Sequence, residues 1–225
     1  KKVKNMKKIF LSICAIMLIT FSAHAEKRIG VSAALTMFDT SGTETTKSSG
    51  EKNNGSEDET VIVPSVFFEF VGDAGVALGF DIVPVDNQEL GSGSRADDDA
   101  ETSGDNKASA ELTGHYTIYG LKPVGSAGAY LKFGLARATI DTTETLATGT
   151  AYGNEDVDGI VLGLGLNRES GTGGFFRMEG TYTDYEDVTI NGSFGGNAAG
   201  DSAVRNKIDA DIDALAIRLS VGRSF

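Results

Sequence analysis

Apolar side chains alternate with small or polar ones over stretches of roughly ten residues, and this pattern recurs eight times between residues 27 and 225. Residues two apart share a face only in an extended chain, so the period demands strands rather than helices. No segment carries a 3.6-residue apolar stripe, and Gly/Ser/Asp/Asn-rich stretches separate the repeats. The chain therefore reads as all-β.

The first strand is expected over 27–38, with Ile29, Val31, Ala33, Leu35 and Met37 on one face. The second (60–71) sets Ile62, Val66, Phe68 and Phe70 against Ser65, Phe67 and Glu69, and the third (76–85) sets Val76, Leu78, Phe80 and Ile82 against Ala77, Gly79 and Asp81. The fourth (107–119) places Ala110, Leu112, Tyr116 and Ile118 opposite Glu111, Thr113, His115 and Thr117. Over 127–140 the fifth places Leu131, Phe133 and Leu135 opposite Tyr130, Lys132 and Gly134. The sixth (157–167) alternates Ile160, Leu162, Leu164 and Leu166 with Val161, Gly163 and Gly165. The seventh (174–186) opposes Phe176, Met178 and Tyr182 to Arg177, Glu179, Thr181 and Thr183, and the eighth (207–225) opposes Leu215, Ile217, Leu219, Val221 and Phe225 to Ala214, Ala216, Arg218 and Ser220.

The connections alternate in length. Segments 39–59, 86–106, 141–156 and 187–206 are long, polar and mostly acidic, whereas 72–75, 120–126 and 168–173 are short. Short turns at one end and long loops at the other mark an eight-stranded, antiparallel, up-and-down transmembrane β-barrel, with turns toward the periplasm and loops outside. A soluble β-sandwich also alternates, but its outer face carries Lys, Glu and Gln and its loops are of mixed length at both ends. Here the second face is mostly Gly, Ala, Ser and Thr, the sizes that a lumen of eight strands accommodates. The inward Gly79, Gly134, Gly163 and Gly165 are expected to permit the sharp curvature of a narrow barrel.

Residues 1–25 have the layout of a cleaved secretory signal: Lys1, Lys2, Lys4, Lys7 and Lys8, an apolar run from Ile9 to Phe21, and the small-x-small site Ala23-His24-Ala25. The apolar run is too short to span a bilayer as a helix, and Ile13 before Cys14 does not suit a lipoprotein site. The barrel domain is then 26–225. Removing five lysines from the 20 basic residues leaves 15 against 32 acids, a net charge of −17, and no cysteine. This balance opposes nucleic-acid binding, and no disulfide framework or thiol nucleophile is available.

Six charges fall on the small-residue faces: Glu69, Glu111, Lys132, Arg177, Glu179 and Arg218. Buried charge is costly unless paired, so three acids and three bases sharing one lumen are expected to pair and plug it. A polar conduit whose pairs exchange partners is the alternative; a wide aqueous pore belongs to barrels of about 16 strands.

The stretches Tyr130–Arg137 (YLKFGLAR), Gly159–Leu166 (GIVLGLGL) and Phe175–Tyr185 (FFRMEGTYTDY), followed by terminal Phe225, resemble strands five to eight of the small OmpA/OmpX-like and opacity-protein-like outer-membrane barrels. The resemblance covers the mature chain in layout and its last hundred residues or so in motif. It implies location in a Gram-negative outer membrane and delivery by periplasmic chaperones and the barrel-assembly machinery. The C-terminal assembly signal falls on Ile217, Leu219, Val221 and Phe225, with Arg223 where the family has an apolar or aromatic residue.

A lipid-modifying barrel enzyme would need a serine beside a histidine base. His115, the one histidine after residue 25, has Thr117 at strand spacing, no serine, and an inward face expected near Glu111, so no enzyme activity is expected. The acidic runs Asp97-Asp98-Asp99, Glu155-Asp156-Asp158 and Asp209-Asp211-Asp213 offer oxygen ligands without EF-hand spacing, and read as solvated surface or nonspecific divalent bridging to lipopolysaccharide. No metal or cofactor is called for. The expected function is structural or surface-interacting, anchored by lipid and lipopolysaccharide, with an extracellular ligand at the four long loops; the alternative is a narrow channel or transporter for small or hydrophobic solutes.

Overall fold

The computed structural model describes residues 25–45, 50, 52–85, 88–97, 104–145, 150–194 and 207–225. The signal segment, apart from Ala25, lies outside the described residues. Twelve strands follow in order: β1 (Glu26–Thr45), β2 (Lys52–Val71), β3 (Ala77–Ile82), β4 (Gln88–Asp97), β5 (Gly104–Val124), β6 (Ala129–Thr145), β7 (Thr150–Ala151), β8 (Glu155–Glu169), β9 (Gly174–Tyr185), β10 (Val188–Asn191), β11 (Ser193–Phe194) and β12 (Lys207–Ser224).

Eight of them, β1, β2, β3, β5, β6, β8, β9 and β12, pair with their neighbours in an antiparallel meander, and β12 returns to β1. Closure runs from Arg28↔Ser224 to Thr45↔Lys207, so the ring has eight staves. Strand β4 continues along β5 beyond the end of β3, β10 continues along β12 beyond β9, and β7 pairs with β11 in a small separate sheet. The β3 ladder stops at Pro84, which has no N–H to offer, while the Val83 amide bonds the His115 carbonyl at 2.9 Å.

The staves run well beyond the expected strand ends. Within the segments expected as loops, 39–45, 52–59, 88–97, 104–106, 141–145 and 188–191 are strand among the described residues, and these extensions rise as a collar at the loop end. At the other end the turns are tight. Gly75 takes φ +72 in the β2–β3 turn, and its amide bonds the Gly72 carbonyl at 2.8 Å. The β5–β6 turn lies at 125–128, later than expected, because Gly120 and Pro123 still pair with Phe133 and Tyr130.

Exposure shows which face meets what. Ile29, Val31, Leu35, Ile62, Phe80, Phe133, Leu162, Leu164, Ile217 and Leu219 all stand on the outer wall, Ile62 with 69% of its surface free. They make a continuous apolar band around a closed barrel, the surface that hydrocarbon requires.

Above the band the two faces exchange character. On β1, Leu35 and Met37 point outward and Thr36 inward, but next Asp39 points outward and Phe38 inward. On β12, Leu215 gives way to Asp213 and Asp211 outside, while buried Ile212 points inward. Strands β6 and β8 do the same, with Ile140 and Val157 buried inside and Arg137 and Asp156 outside. The collar is thus built as a water-soluble barrel on a membrane-type one.

Candidate functional site

The lumen contains four tiers. At the turn-end mouth Arg28 bonds Glu26 and, across the opening, Glu169, each at 2.6 Å. Above it Arg177 grips Glu69 with both terminal nitrogens, at 2.5 and 2.6 Å, and its Nε donates to Asn167 at 3.1 Å. The Tyr119 hydroxyl donates to Glu69 at 2.7 Å. Lys132 and the Tyr130 hydroxyl donate to the two oxygens of Glu179 at 2.8 and 2.9 Å.

Aromatic faces join the two pairs into a closed circuit. Lys132 Nζ sits 4.2 Å from the centre of the Tyr119 ring, and the Arg177 guanidinium lies 5.7 Å from that of Tyr130. Arg177 also covers Phe175 at 4.7 Å and Phe67 at 5.5 Å. Each cation therefore meets a carboxylate and, beside it, an aromatic face, which offsets loss of hydration better than the ion pair alone. Glu69 is wholly buried and Lys132 keeps 3% of its surface.

A step higher, Arg218 donates to Asp81 at 2.6 Å and to Ser65 at 3.3 Å, and Ser65 donates to Asp81 at 2.9 Å. Ser32 and Ser65 share a hydrogen bond of 2.5 Å. His115 Nε2 and the Tyr185 hydroxyl lie 3.3 Å apart. The topmost tier is apolar: Phe38, Leu90, Leu112, Ile140, Val157, Val188 and Ile212 form one buried cluster.

Of the six charges expected inside, Glu69, Lys132, Arg177, Glu179 and Arg218 are there, and Glu111 is not. Gly114, at φ +57, and His115 together face Ala138, a β-bulge between the pairs Thr113↔Thr139 and Tyr116↔Arg137. The extra residue inverts the phase of β5, so Leu112 and Ala110 turn inward and Glu111 turns outward beside Glu89 and Asp141. Asp81 takes the vacated place as the third acid. It was legible on the inner face of its strand, two residues from Gly79.

Gly79 and Gly165 have a reason that sequence reasoning missed, shared by Gly30 and Gly222, whereas Gly134 and Gly163 meet backbone and the Cβ or methyl atoms of threonine, tyrosine and lysine. Gly79 stands directly across from Tyr119, Gly165 from Tyr130, Gly30 from Phe67 and Gly222 from Phe175. A Cβ at any of them would run into the facing ring. These glycines are berths that make room for the facing aromatic rings inside the lumen.

The acidic runs are engaged locally. Asp156 accepts from Arg137 at 2.5 Å and from Thr139 at 2.8 Å; Asp209 accepts from Lys207 and Thr189, and Asp213 from Tyr182. Among the described residues no three acids or histidines converge as metal ligands; Asp98 and Asp99 lie outside the described residues. The C-terminal Ile217, Leu219 and Val221 face outward in the band, and the Phe225 amide bonds the Lys27 carbonyl at 2.9 Å.

No protein-family model matches the chain, and no curated protein matches it. Solved structures do. The outer membrane protein OprG of Pseudomonas aeruginosa aligns over 89% of this chain and 96% of its own, with a TM-score of 0.53 and 16% identity. The outer membrane protease OmpT of Escherichia coli aligns over 92% of this chain and 98% of its own, with a TM-score of 0.51 and 8% identity. At such identities the likeness shows a shared fold: this chain is a small β-barrel of the outer-membrane type.

Proposed function

We propose that this protein is an outer-membrane barrel with a sealed lumen, which serves as an anchor for its loop-end collar and the loops upon it. The observation that carries the reading is the circuit of Glu69, Arg177, Tyr130, Glu179, Lys132 and Tyr119 across the narrow interior. Its charges are held by one another, so an ion or polar solute entering the lumen would have to break buried pairs. The apolar tier above it adds a second barrier.

On this reading residues 1–25 are removed on export, the turn end faces the periplasm, and the acidic collar faces outward toward lipopolysaccharide and an extracellular ligand. The Ile217, Leu219, Val221 and Phe225 face guides assembly, and the protein carries no catalytic activity.

The test is conductance of the purified, refolded protein in a planar bilayer. The sealed lumen predicts a silent membrane, with steps appearing when Lys132→Ala and Glu179→Ala are combined. Regular unit steps from the unaltered protein would replace this reading with that of a narrow channel for small or hydrophobic solutes.

A further inference from the structure

The rims of the apolar band carry opposite charges. At the turn end the outer wall passes from apolar to basic in one step: in the strand register Lys27 stands opposite Phe70, Lys122 opposite Leu131, Arg168 opposite Phe176 and Arg223 opposite Ile29. Leu131, Phe176 and Ile29 are 40, 46 and 48% exposed and belong to the band. All four basic residues are exposed, and none forms a salt bridge with another described residue. Arg168 donates one hydrogen bond, to the Ala127 carbonyl.

The acids near this rim do not neutralise it. Glu26 and Glu169 both hold Arg28 at the mouth, which leaves Asp73 in the β2–β3 turn as the remaining described acidic side chain. At the loop end the rim is acidic instead. Asp58, Asp39, Asp213 and Asp184 follow one another across β2, β1, β12 and β9 in direct register. Arg137, the base at that height on β6, is taken by Asp156 and Asp158.

We infer that the basic rim is a docking surface for the phosphates of anionic phospholipids in the leaflet at the turn end; this rests on the proposal that the band spans a bilayer. A long basic side chain at the band edge lays its stem on hydrocarbon and its charge at headgroup depth, and guanidinium matches phosphate geometry in a fork. Arg168, Arg223 and Lys27 lie on β8, β12 and β1 with only β9 between them, so one sector presents three cations. The acidic rim repels the same lipids, which confines the preference to one leaflet.

The test uses the full chain refolded in phosphatidylcholine bilayers doped with spin-labelled phosphatidylglycerol or spin-labelled phosphatidylcholine, with the heat-dependent gel shift of a folded barrel read on the same samples. A cation near an anionic surface changes partition about fivefold, so phosphatidylglycerol is expected to associate about three- to fivefold more strongly than phosphatidylcholine. The preference should fall to parity in roughly 0.5 M salt and in the combined variant Lys27→Gln, Arg168→Gln, Arg223→Gln. Equal association of the two lipids with the unaltered, gel-shifting protein overturns the docking surface alone, as does a preference that the variant or salt leaves intact. Absence of a gel shift in every bilayer overturns the spanning proposal and this inference with it. The salt arm decides the matter even where the triple variant does not fold.

Discussion

The lower lumen and the upper lumen belong to the same eight staves and are built on opposite rules. The lower half, walled by the outward apolar band, holds Glu69, Asp81, Glu179, Lys132, Arg177 and Arg218 among tyrosine and phenylalanine rings. The upper half, walled by Asp39, Asp156, Asp211 and their neighbours, is packed with Phe38, Leu112, Ile140, Val157 and Ile212. On the proposal that the band spans a bilayer, what differs is the solvent outside. Where the outer wall must be apolar, the inner face carries the polar groups, and they must satisfy one another; where water bathes the outer wall, the hydrophobic effect returns apolar side chains to the interior. The comparison teaches that the inside of a barrel this narrow is dictated by its exterior.

The two rules predict losses of different size and place. Arg177→Ala leaves Glu69 charged and unpaired at full burial, and breaking such a pair costs about 3–5 kcal/mol. The urea midpoint of the gel-shifted form is expected to drop accordingly, whereas Arg177→Met with Glu69→Leu should recover much of the loss, since an apolar pair needs no partner. A double variant no more stable than the single one would mean that packing around Phe67 and Phe175, rather than charge, holds the lower tier together.

Leu112→Ala removes a wholly buried side chain from the upper tier and costs about 3 kcal/mol. The loss is expected in the collar: protease should cut the β4–β5 extension sooner while the band-spanning part still shifts on gels. Simultaneous loss of both would show one cooperative unit and erase the distinction drawn above. Smaller still is Gly79→Ala, which pushes a methyl into the Tyr119 ring for about 1–3 kcal/mol. Tyr119→Leu in the same chain should relieve the overlap while giving up the hydrogen bond to Glu69, and a Gly79→Ala protein with an unchanged urea midpoint would count against the berth.

Sequence reasoning reached the eight staves and most of their outward apolar side chains because a period of two is written directly in the residues. It reached five of the lumen charges for the same reason. It misplaced Glu111 because one bulge reverses every later or earlier side chain of a strand, and the signal available was Gly114 inside an otherwise regular run. The upper core was missed because one phase was carried along whole strands, although Met37-Phe38-Asp39 places two apolar residues side by side just where the phase turns over. The ring berths required knowing the register: Gly79 meets Tyr119 across 40 residues of chain, a pairing that neither strand announces by itself.

The smallest effect concerns the outer wall of the collar, where two aspartates on different strands should titrate on opposite sides of their ordinary value. The hydrogen bond from Arg137, then that from Thr139, holds Asp156 below it. Partial burial, then the charges of Asp187, Asp213 and Asp184, pushes Asp211 above it. The linkage signs follow: the contribution of Asp156 is present above the ordinary aspartate range and is lost as the pH falls through the lowered value, whereas ionisation of Asp211 weakens the fold as the pH rises through the ordinary range and levels off above the raised one. Both groups are open to solvent and screened, so midpoints should scarcely move; carboxyl-carbon NMR resolves them. In Arg137→Ala, Asp156 should return toward its ordinary value while Asp211 stays raised. If the two aspartates titrate together, or move together in the variant, the collar's outer wall is a uniform acidic surface rather than a set of local pairs.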